Sequence, residues 1–398
     1  MNILVVNAGS SSIKYQLIDM MTEKPLSSGL VERIGLDSGA IKHQIFVGSK
    51  EKKITEEHPI PNHAVGLKRV AELLTDKEIG VIAEPSEIEV VGHRLVHGGE
   101  TFSKTVVINE DVKAKVKELF ALAPLHNPAN LTGVEVAEKV FPNAKQVGVF
   151  DTAFHQTMPE AAYRYAIPDA LYRDFGIRKY GFHGTSHKYV SEKAARYLEK
   201  KDAKIITIHL GNGASIAAVD AGVCIDTSMG IGPLNGLIMG TRSGSIDPSI
   251  IFYLVEQKGF TVEEVNAILN QKSGMLGLTG ESDMRDVEEL YFKGNKKARL
   301  AYEMYAYRIK HFIGSYVASM NGLDALVFTA GIGENDKLVR SLVCKKMEFF
   351  GIHIDEVRNA VRSKDIREIN TAHSKTKVLV IPTNEELEIA QQSYEVIR

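Results

Sequence analysis

The chain contains the same short pattern twice, about half a chain apart. At residues 3–19, a β-branched run is followed by the small-residue stretch NAGSS and a second strand-like run, and residues 205–220 repeat that order around LGNGA. Each copy predicts a β-hairpin with a tight turn. Turns of this composition present backbone N–H groups without bulky side chains, which suits a closely approaching phosphate. Either copy alone could equally be an ordinary turn, but the pair favours a duplicated fold that binds nucleotide phosphate.

The rest of the chain alternates β-branched runs with amphipathic stretches, which is typical of an α/β fold. Strands are predicted at ILVV, IEVVGHRLV, QVGVF, KIITIHL, ALVFTAG and KVLVIP. Helices are predicted at residues 63–74, 111–119, 132–140, 186–200, 261–269 and 295–320. A chain of 398 residues is too long for one compact core, so we expect two domains with a boundary near Phe150.

Composition gives little support to nucleic acid or lipid as a partner. The formal net charge is only −2, so there is no basic field for a phosphate backbone or an anionic membrane. We expect a cytoplasmic location, because the start lacks the features of a secretory signal and no apolar stretch is long enough to cross a bilayer. Cys224 and Cys344 form no CxxC pair, which predicts buried reduced thiols rather than a disulfide or a zinc site.

A third glycine motif, FTAGIGEN, follows a predicted strand and precedes a helix expected to begin near Asp336. Backbone at such a position can approach a nucleotide closely, and a helix N-terminus favours an anion. The chain has no GxxxxGK[ST] motif and does not open with a strand followed by GxGxxG, which argues against a Walker phosphate loop and a dinucleotide fold. Together with the two hairpins, the motif predicts the adenosine side of an ATP site.

Several glycine- and proline-rich loops carry polar residues suited to phosphoryl transfer. A transferring phosphoryl group needs fixed cationic or N–H donors, which Arg94, Arg242 and His183 could supply. A guanidinium group also binds a carboxylate in a planar fork. Each of these residues could instead anchor a loop or cap a turn, and His97, His155 and His187 are interpreted as structural. No HExxH or comparable pair predicts a histidine metal site.

These motifs, in order, resemble those of the acetate kinase family over nearly the whole chain. The matching stretches are NAGSSSIK, GHRLVHGGE, FDTAFHQTMP, YGFHGTSH, HLGNG, MGTRSG, GIGEN and TNEE. The resemblance implies a duplicated actin-like ATPase (ribonuclease H-like) fold that binds ATP or ADP with Mg²⁺, for which Mn²⁺ can substitute. It implies an acceptor-side domain of residues 1–150 with a C-terminal helix at 386–398, and a nucleotide-binding domain of residues 151–385 that forms most of a homodimer interface.

The resemblance also assigns roles by position. The catalytic residues would be Asp151, Arg242, His183, Arg94 and His126. The nucleotide-binding residues would be Lys14, His209, Leu210, Gly211, Asn212, Gly213, Asp283, Met284, Arg285, Gly331, Ile332, Gly333, Glu334 and Asn335. Arg94 would bind the acceptor carboxylate. The methyl group of the acceptor would contact Val96, Leu125, Phe182 and Pro233. The Mg²⁺ ligands would be Asn7 and Glu385. One departure is Ser245, where many relatives have an acidic residue.

The predicted reaction is reversible, ATP-dependent phosphorylation of acetate to acetyl phosphate by direct in-line transfer. Acetate is already ionised at neutral pH, so no general base is needed, and Asp151 would orient the acceptor or Mg²⁺. Propionate or butyrate could replace acetate, because one methylene is worth only about 1–3 kcal/mol in an apolar pocket. An actin-like ATPase acting on a protein partner is the alternative from another class, but it leaves Arg94 and His183 without a function.

Overall fold

The computed structural model describes residues 1–47 and 50–398. Its strands are β1 (Asn2–Ala8), β2 (Ser12–Asp19), β3 (Lys24–Glu32), β4 (Ala40–Val47), β5 (Lys50–Glu57), β6 (Ile88–Leu95), β7 (Val106–Val107), β8 (Lys145–Phe150), β9 (Lys204–Leu210), β10 (Ala214–Asp220), β11 (Val223–Thr227), β12 (Ala325–Thr329), β13 (Arg367–Glu368) and β14 (Lys377–Val380).

The helices are α1 (His63–Leu74), α2 (Glu110–Glu118), α3 (Asn127–Val140), α4 (Glu160–Tyr163), α5 (Asp169–Phe175), α6 (Gly184–Tyr197), α7 (Ser249–Lys258), α8 (Val262–Gln271), α9 (Gly274–Thr279), α10 (Met284–Phe292), α11 (Lys296–Met320), α12 (Ala330–Asn335), α13 (Lys337–Cys344), α14 (Glu356–Ala360) and α15 (Glu385–Ile397). Short 3₁₀ turns occur at Pro85–Glu87, Leu119–Ala121, Ala153–Thr157 and Glu348–Phe350. The chain forms two compact units: unit 1 comprises Met1–Ala153 and Asn384–Arg398, and unit 2 comprises Phe154–Thr383.

Unit 1 is built on an eight-stranded mixed sheet in the order β5-β4-β3-β2-β1-β6-β8-β7. Strands β1, β6 and β8 are parallel to one another, and the remaining neighbours are antiparallel. The β1–β2 hairpin aligns Asn7 with Lys14, and the β6–β8 pairing aligns Leu95 with Phe150. The residues that follow β6 and β8 therefore emerge at the same edge of the sheet, where parallel strands end together.

The core of unit 1 lies on both faces of this sheet. Successive side chains of a strand point to opposite faces. Leu4 and Val6 accordingly pack with Leu67 and Val70 of α1, whereas Ile3 and Val5 pack with Ile389 of α15. Strand β1 is therefore buried on both sides, which explains why its sequence is continuously apolar rather than alternating.

Unit 2 contains a six-stranded sheet in the order β11-β10-β9-β12-β14-β13. Its hairpin β9–β10 is antiparallel, and β9, β12 and β14 are parallel. The order β11-β10-β9-β12-β14 reproduces the order β3-β2-β1-β6-β8 of unit 1. The duplicated α/β architecture predicted from the repeated hairpin pattern is therefore confirmed.

The helices of unit 2 differ in how much of their surface is covered. The 25-residue helix α11 buries Tyr302, Tyr305 and Ile309 along one side and ends at Asn321, whose left-handed backbone stops the helix. In contrast, α7 buries none of its ten residues within this chain. Leu254 and Val255 are half-buried, and the other eight residues of the apolar sequence SIIFYLVEQK are exposed, which is unusual for a monomeric protein.

Both cysteines, Cys224 and Cys344, are free and buried, as predicted. Burial raises the pKa of Cys344 to about 12 and that of Cys224 further, so both remain neutral thiols at physiological pH. Across the residues that the structure describes, no helix combines the length and the apolarity needed to cross a bilayer. The expected cytoplasmic location stays a prediction.

Candidate active site

The ends of strands β6 and β8 in unit 1 hold an ion pair. Arg94 lies one residue before the end of β6, and Asp151 directly follows β8. The guanidinium donates from Nε to Asp151 Oδ1 at 3.0 Å and from Nη2 to Oδ2 at 2.6 Å. Asp151 is buried, and its charge raises the pKa of Arg94. The pair uses two sides of the guanidinium, which leaves Nη1 for another anion.

Three further charged groups lie near this pair, where α15 begins. The carboxylate of Glu385, the first residue of α15, is close enough to Arg94 and Asp151 to interact with both. Burial raises the pKa of Glu385; Arg94 and Lys14 oppose that shift, and the carboxylates of Asp151 and Glu386 add to it. Lys14 forms an ion pair with Glu386. Unit 1 thus places three carboxylates and two cations at one sheet edge.

The predicted magnesium ligands, Asn7 and Glu385, both belong to this edge. Asn7 lies near the end of β1 and aligns with Lys14. Within residues 1–47 and 50–398, no group of three or more His, Cys, Asp or Glu side chains is arranged to hold a metal ion by itself. A metal here would therefore need water or ligand oxygens to complete its coordination. Mg²⁺ commonly binds in that way.

The loop after β6 is fixed by two asparagines of α3. Asn130 accepts a hydrogen bond from Val96 N at 3.0 Å and donates to Ala8 O at 2.7 Å. Asn127 accepts from His97 N at 3.1 Å and donates to His97 O at 3.0 Å. These bonds fix the backbone on either side of the Arg94 strand end. His126, the N-cap of α3, and Leu125, which is 78% exposed, precede them on the surface of unit 1.

In unit 2, the turn of the second hairpin brings together the predicted phosphoryl-binding residues. A methyl group at Gly213 would lie 2.9 Å from Arg242 Nη2 and 3.4 Å from His183 Nε2, so glycine permits this close approach. Arg242 donates from Nη1 to Pro233 O at 2.7 Å. Among the described residues, no carboxylate pairs with Arg242, and burial lowers its pKa. A part-buried guanidinium without a counter-ion is suited to an anionic ligand.

His183 is held in an uncommon backbone conformation by a chain of hydrogen bonds. Its φ of 57° is left-handed, which costs energy for a residue other than glycine. Its Nδ1 lies 2.8 Å from Ser215 Oγ, and the same oxygen lies 2.7 Å from His187 Nε2. His187 Nδ1 lies 2.7 Å from Thr207 Oγ1, and burial lowers the pKa of His187 well below its usual value. This series of hydrogen bonds fixes Nδ1 of His183 and leaves Nε2 on the side of Gly213.

Two more histidines pack around this chain. The ring of His209 stacks on that of His183 with centroids 4.2 Å apart, and its Nδ1 lies 2.8 Å from Ser186 Oγ. His155 Nε2 lies 2.9 Å from the carbonyl oxygen of Phe182, the residue before His183. Phe182 itself is buried. His155 and His187, interpreted from the sequence as structural, thus support the backbone and ring of His183.

A cavity of about 610 Å³ adjoins the hairpin turn of unit 2. It is lined by residues 211–212, 282–285, 331–332 and 335–336, together with Glu288 and Arg362. Most of the nucleotide-binding residues predicted in unit 2 therefore lie around a single cavity. Its volume lies within the range usual for pockets that bind small molecules.

The motif GIGEN is itself helical, which differs from the turn expected from its sequence. It forms most of α12, which follows β12 through Ala330 at a φ of 64°, and the helix expected near Asp336 is α13. The last carbonyls of α12 accept hydrogen bonds from buried arginines: Arg340 Nη1 donates to Gly333 O, and Arg367 Nη2 to Glu334 O, both at 2.8 Å. These bonds satisfy groups that a helix end leaves unpaired.

Comparison with known proteins identifies the family. The sequence profile of the Acetokinase family matches residues 2–391. The chain belongs to the acetokinase family. It is 58% identical over 397 residues to the acetate kinase of Flavobacterium johnsoniae, and the match covers 100% of both chains. It is therefore similar throughout to a phosphotransferase, and the chain is an enzyme of that class.

Solved structures agree with the assignment to the acetokinase family. The crystal structure of Porphyromonas gingivalis acetate kinase matches with a TM-score of 0.95 at 46% identity, covering 100% of both chains. That of a propionate kinase from Francisella tularensis matches with a TM-score of 0.91 at 44% identity, covering 99% of both. The predicted duplicated actin-like ATPase fold is confirmed by these neighbours.

The structure distributes the predicted acetokinase residues between the two units. Unit 1 holds Asn7, Lys14, Arg94, Val96, Leu125, His126, Asp151 and Glu385, and unit 2 holds the remaining predicted residues. Lys14 is the one predicted nucleotide-binding residue that lies in unit 1. Asp283 and Arg285 pair with each other, with Nη2 2.6 Å from Oδ2, and this contact lowers the pKa of Asp283 to about 2. Ser245, the departure from the family pattern, donates to Asn235 at 2.6 Å and accepts from Gly236 N at 2.9 Å.

Sequence reasoning missed several residues that hold the site in place. They are Glu386, Asn127, Asn130, Ser215, Arg340 and Arg367. Asn130 bonds to Ala8, 122 positions away, so no local pattern marks it. Glu386 could have been found, because it lies in the motif TNEE beside the predicted ligand Glu385.

Proposed function

We propose that the chain catalyses reversible transfer of the γ-phosphoryl group of ATP to acetate, which gives ADP and acetyl phosphate. The observation that carries this proposal is the arrangement in unit 2. Arg242, which pairs with no carboxylate in residues 1–47 and 50–398, and the fixed His183 both approach the glycine turn beside a cavity of about 610 Å³. Fixed donors of this kind stabilise charge that spreads over the oxygens of a transferring phosphoryl group. The name acetate kinase of the full-length relatives gives the acceptor.

The chemistry requires positioning rather than proton removal. Acetate has a pKa of roughly 4–5, so its carboxylate is ionised at neutral pH. One carboxylate oxygen forms the new bond to the γ-phosphorus as the bond from phosphorus to the ADP oxygen breaks. The electron pair of the broken bond leaves with ADP, no proton moves, and no phosphoenzyme forms. Arg242 and His183 stabilise the phosphoryl oxygens during this exchange.

Unit 1 supplies the groups proposed to bind the acceptor. Arg94 binds the acetate carboxylate, and Asp151 acts through Arg94 by fixing two sides of its guanidinium. Of the two roles expected for Asp151, orienting the acceptor or Mg²⁺, this proposal takes the first. Val96 and Leu125 in unit 1, and Phe182 and Pro233 in unit 2, stay predicted acceptor-site residues, and His126 stays a predicted catalytic residue.

Asn7 and Glu385 are proposed to hold Mg²⁺, or Mn²⁺ in its place. Both offer the hard oxygen donors that these ions prefer. The carboxylates of Asp151 and Glu386 disfavour the charged form of Glu385, and a divalent cation would relieve that repulsion. When bound, the ion would neutralise phosphate charge. Lys14 forms an ion pair with Glu386, the residue next to Glu385.

The proposal includes a homodimer formed through unit 2 in the cytoplasm. Helix α7 exposes Phe252 at 62% and also exposes Ile250, and α11 exposes Tyr307 at 69%. Arg308 of α11 donates to Ser245 O at 2.9 Å, four residues before α7 begins. Large apolar side chains exposed in this way are typical of an interface between subunits.

A coupled assay of ADP formation tests the activity. We expect ADP release from ATP to depend on added acetate, and inversion at a chiral γ-phosphorus to accompany direct transfer. ADP release that is independent of acetate would favour the ATPase alternative, and net retention would require a phosphoenzyme. The same assay with propionate and butyrate defines the acceptor. Propionate is the second candidate, because a propionate kinase shares the fold along 99% of this chain.

A further inference from the structure

The cavity of unit 2 has one end that is suited to phosphate and another that is not. Residues 211–212 line it next to Gly213, which Arg242 and His183 approach closely. This end of the cavity therefore adjoins the turn that carries the proposed phosphoryl-binding side chains. The remaining lining comes from α10, from α12 and from Arg362, which follows α14. A nucleotide with its phosphates at the hairpin turn would extend its base toward these elements.

The lining near α10 and α12 offers surfaces for a flat ring. Met284 and Ile332 contribute apolar side chains. A methyl group built at Gly331 would meet nothing within 4 Å, so the backbone there borders open space. A planar base could lie against these groups without displacing protein atoms. Such a surface supplies affinity but does not distinguish one purine from another.

The carboxylates that line the cavity differ in whether they already have partners. Asp283 is paired with Arg285. Asp336 accepts hydrogen bonds from Tyr302 Oη and Val339 N, both at 2.9 Å. Glu288, on the same helix as Arg285, makes no ion pair or hydrogen bond of its side chain within residues 1–47 and 50–398. Glu288 is therefore the acidic group of the lining whose acceptor oxygens remain for a ligand.

Charged groups lie near the Glu288 carboxylate. Burial raises the pKa of Glu288, Asp336 adds to the effect, and Lys337 and Arg362 oppose it. Arg362 is exposed and lies on the same cavity. A part-buried carboxylate gains most from a ligand that donates a hydrogen bond.

We propose that Glu288 selects the base of the nucleotide by accepting a hydrogen bond from the 6-amino group of adenine. The proposal rests on the proposed function, which places ATP in this cavity. Guanine carries a carbonyl oxygen at that position, whose lone pairs would face the carboxylate. A site built to bond a ligand N–H rejects an analogue that lacks it, because the site's own polar group then stays unpaired.

The test removes the interaction from both sides. The values of kcat/KM are measured for ATP, for GTP and for purine riboside triphosphate, which lacks the 6-amino group, in the wild type and in Glu288→Met and Glu288→Gln. We expect the wild type to prefer ATP by about 10- to 100-fold, as for a hydrogen bond to a charged group. In Glu288→Met, kcat/KM for ATP should fall while kcat/KM for purine riboside triphosphate stays the same, so most of the preference is lost. Glu288→Gln should keep part of the preference, because its amide oxygen can still accept a hydrogen bond.

Glu289→Met is the matched control, because Glu289 follows on the same helix, is exposed and pairs with Lys293 rather than lining the cavity. It should keep the wild-type preference. An unchanged ATP preference in Glu288→Met would overturn the proposal, as would a selective loss of GTP use, which would mean that Glu288 binds N1–H and the 2-amino group of guanine. A wild type without acetate-dependent ADP formation would instead contradict the proposed function. Calorimetry with ADP and purine riboside diphosphate gives the same ratio without turnover.

Discussion

At the scale of single residues, the two arginines of the proposed mechanism are in opposite electrostatic situations. Arg94 forms an ion pair with Asp151 through two hydrogen bonds. Arg242 donates to a backbone carbonyl, and no carboxylate among the described residues pairs with it. Removing Arg94 leaves a buried carboxylate without its partner, whereas removing Arg242 leaves no charge behind. The same chemical change should therefore have different consequences at the two positions.

We expect Arg242→Gln to lower kcat by about 10²- to 10³-fold, the usual effect of removing one donor to a transition-state charge. The KM for acetate and the melting temperature should change little, because Arg242 has no ion pair to lose among the residues that the structure describes. Arg94→Gln should mainly raise the KM for acetate and also lower the melting temperature. Steady-state kinetics and thermal denaturation of both variants check this. The reverse assignment of kcat and KM effects would contradict the proposed roles.

The sequence could predict the chemistry of these residues but not what positions them. Arginine and histidine in glycine-rich loops indicate anion binding, and Arg242 and His183 both lie in such loops. The bond from His183 to Ser215 and the bonds from Asn130 to Val96 and Ala8 join residues distant in the chain. Periodicity and spacing describe near neighbours, so they give no signal for such contacts.

At the scale of elements, helix α12 brings the backbone of the GIGEN motif to the cavity of unit 2. Gly331 borders open space there, with a backbone that other residues can adopt. Alanine at this position would not collide with the protein. It would place a methyl group where a nucleotide is proposed to bind.

We therefore expect Gly331→Ala to raise the KM for ATP about tenfold or more, since overfilling a packed site costs roughly 1–3 kcal/mol. The free energy of unfolding should stay unchanged or rise by about 0.5–1 kcal/mol, because alanine is favoured over glycine in a helix. Gly314→Ala in α11 is the control: a methyl group there also meets nothing within 4 Å, and Gly314 does not line the cavity. It should leave the KM for ATP unchanged. A lower stability of Gly331→Ala would show that the effect is structural.

Elements with strong periodicity could be predicted, and those set by tertiary contacts could not. Helix α1 was predicted at its observed bounds, residues 63–74. Helix α3 begins at Asn127, five residues before the predicted start, because Pro128 is favoured in the first turn and not a barrier there. Strands β3, β4 and β5 were not predicted. The sequence of β5, KEKKITEE, is largely charged because β5 is an edge strand of its sheet.

At the scale of the whole molecule, the exposed apolar side chains of α7 and α11 bear on assembly. We expect Phe252→Glu to shift the protein from dimer to monomer in analytical ultracentrifugation, since a charge in an interface core is strongly unfavourable. Met21→Glu, at a more exposed apolar position in unit 1, should leave the dimer intact. A wild type that sediments as a monomer, or a Phe252→Glu variant that sediments as a dimer, would contradict an interface on this face.

The return of the chain from unit 2 to unit 1 affects how the protein is made on the ribosome. Helix α15 supplies Ile389 to the core beside Ile3 and Val5. This face of β1 can therefore pack only after α15 has been synthesised. Domains usually fold in order as they emerge during synthesis. Here unit 2 can fold first, while one face of the β1 sheet stays uncovered until residues 384–398 have been translated. Loss of residues 387–398 would therefore expose the apolar face of a strand that left the ribosome long before.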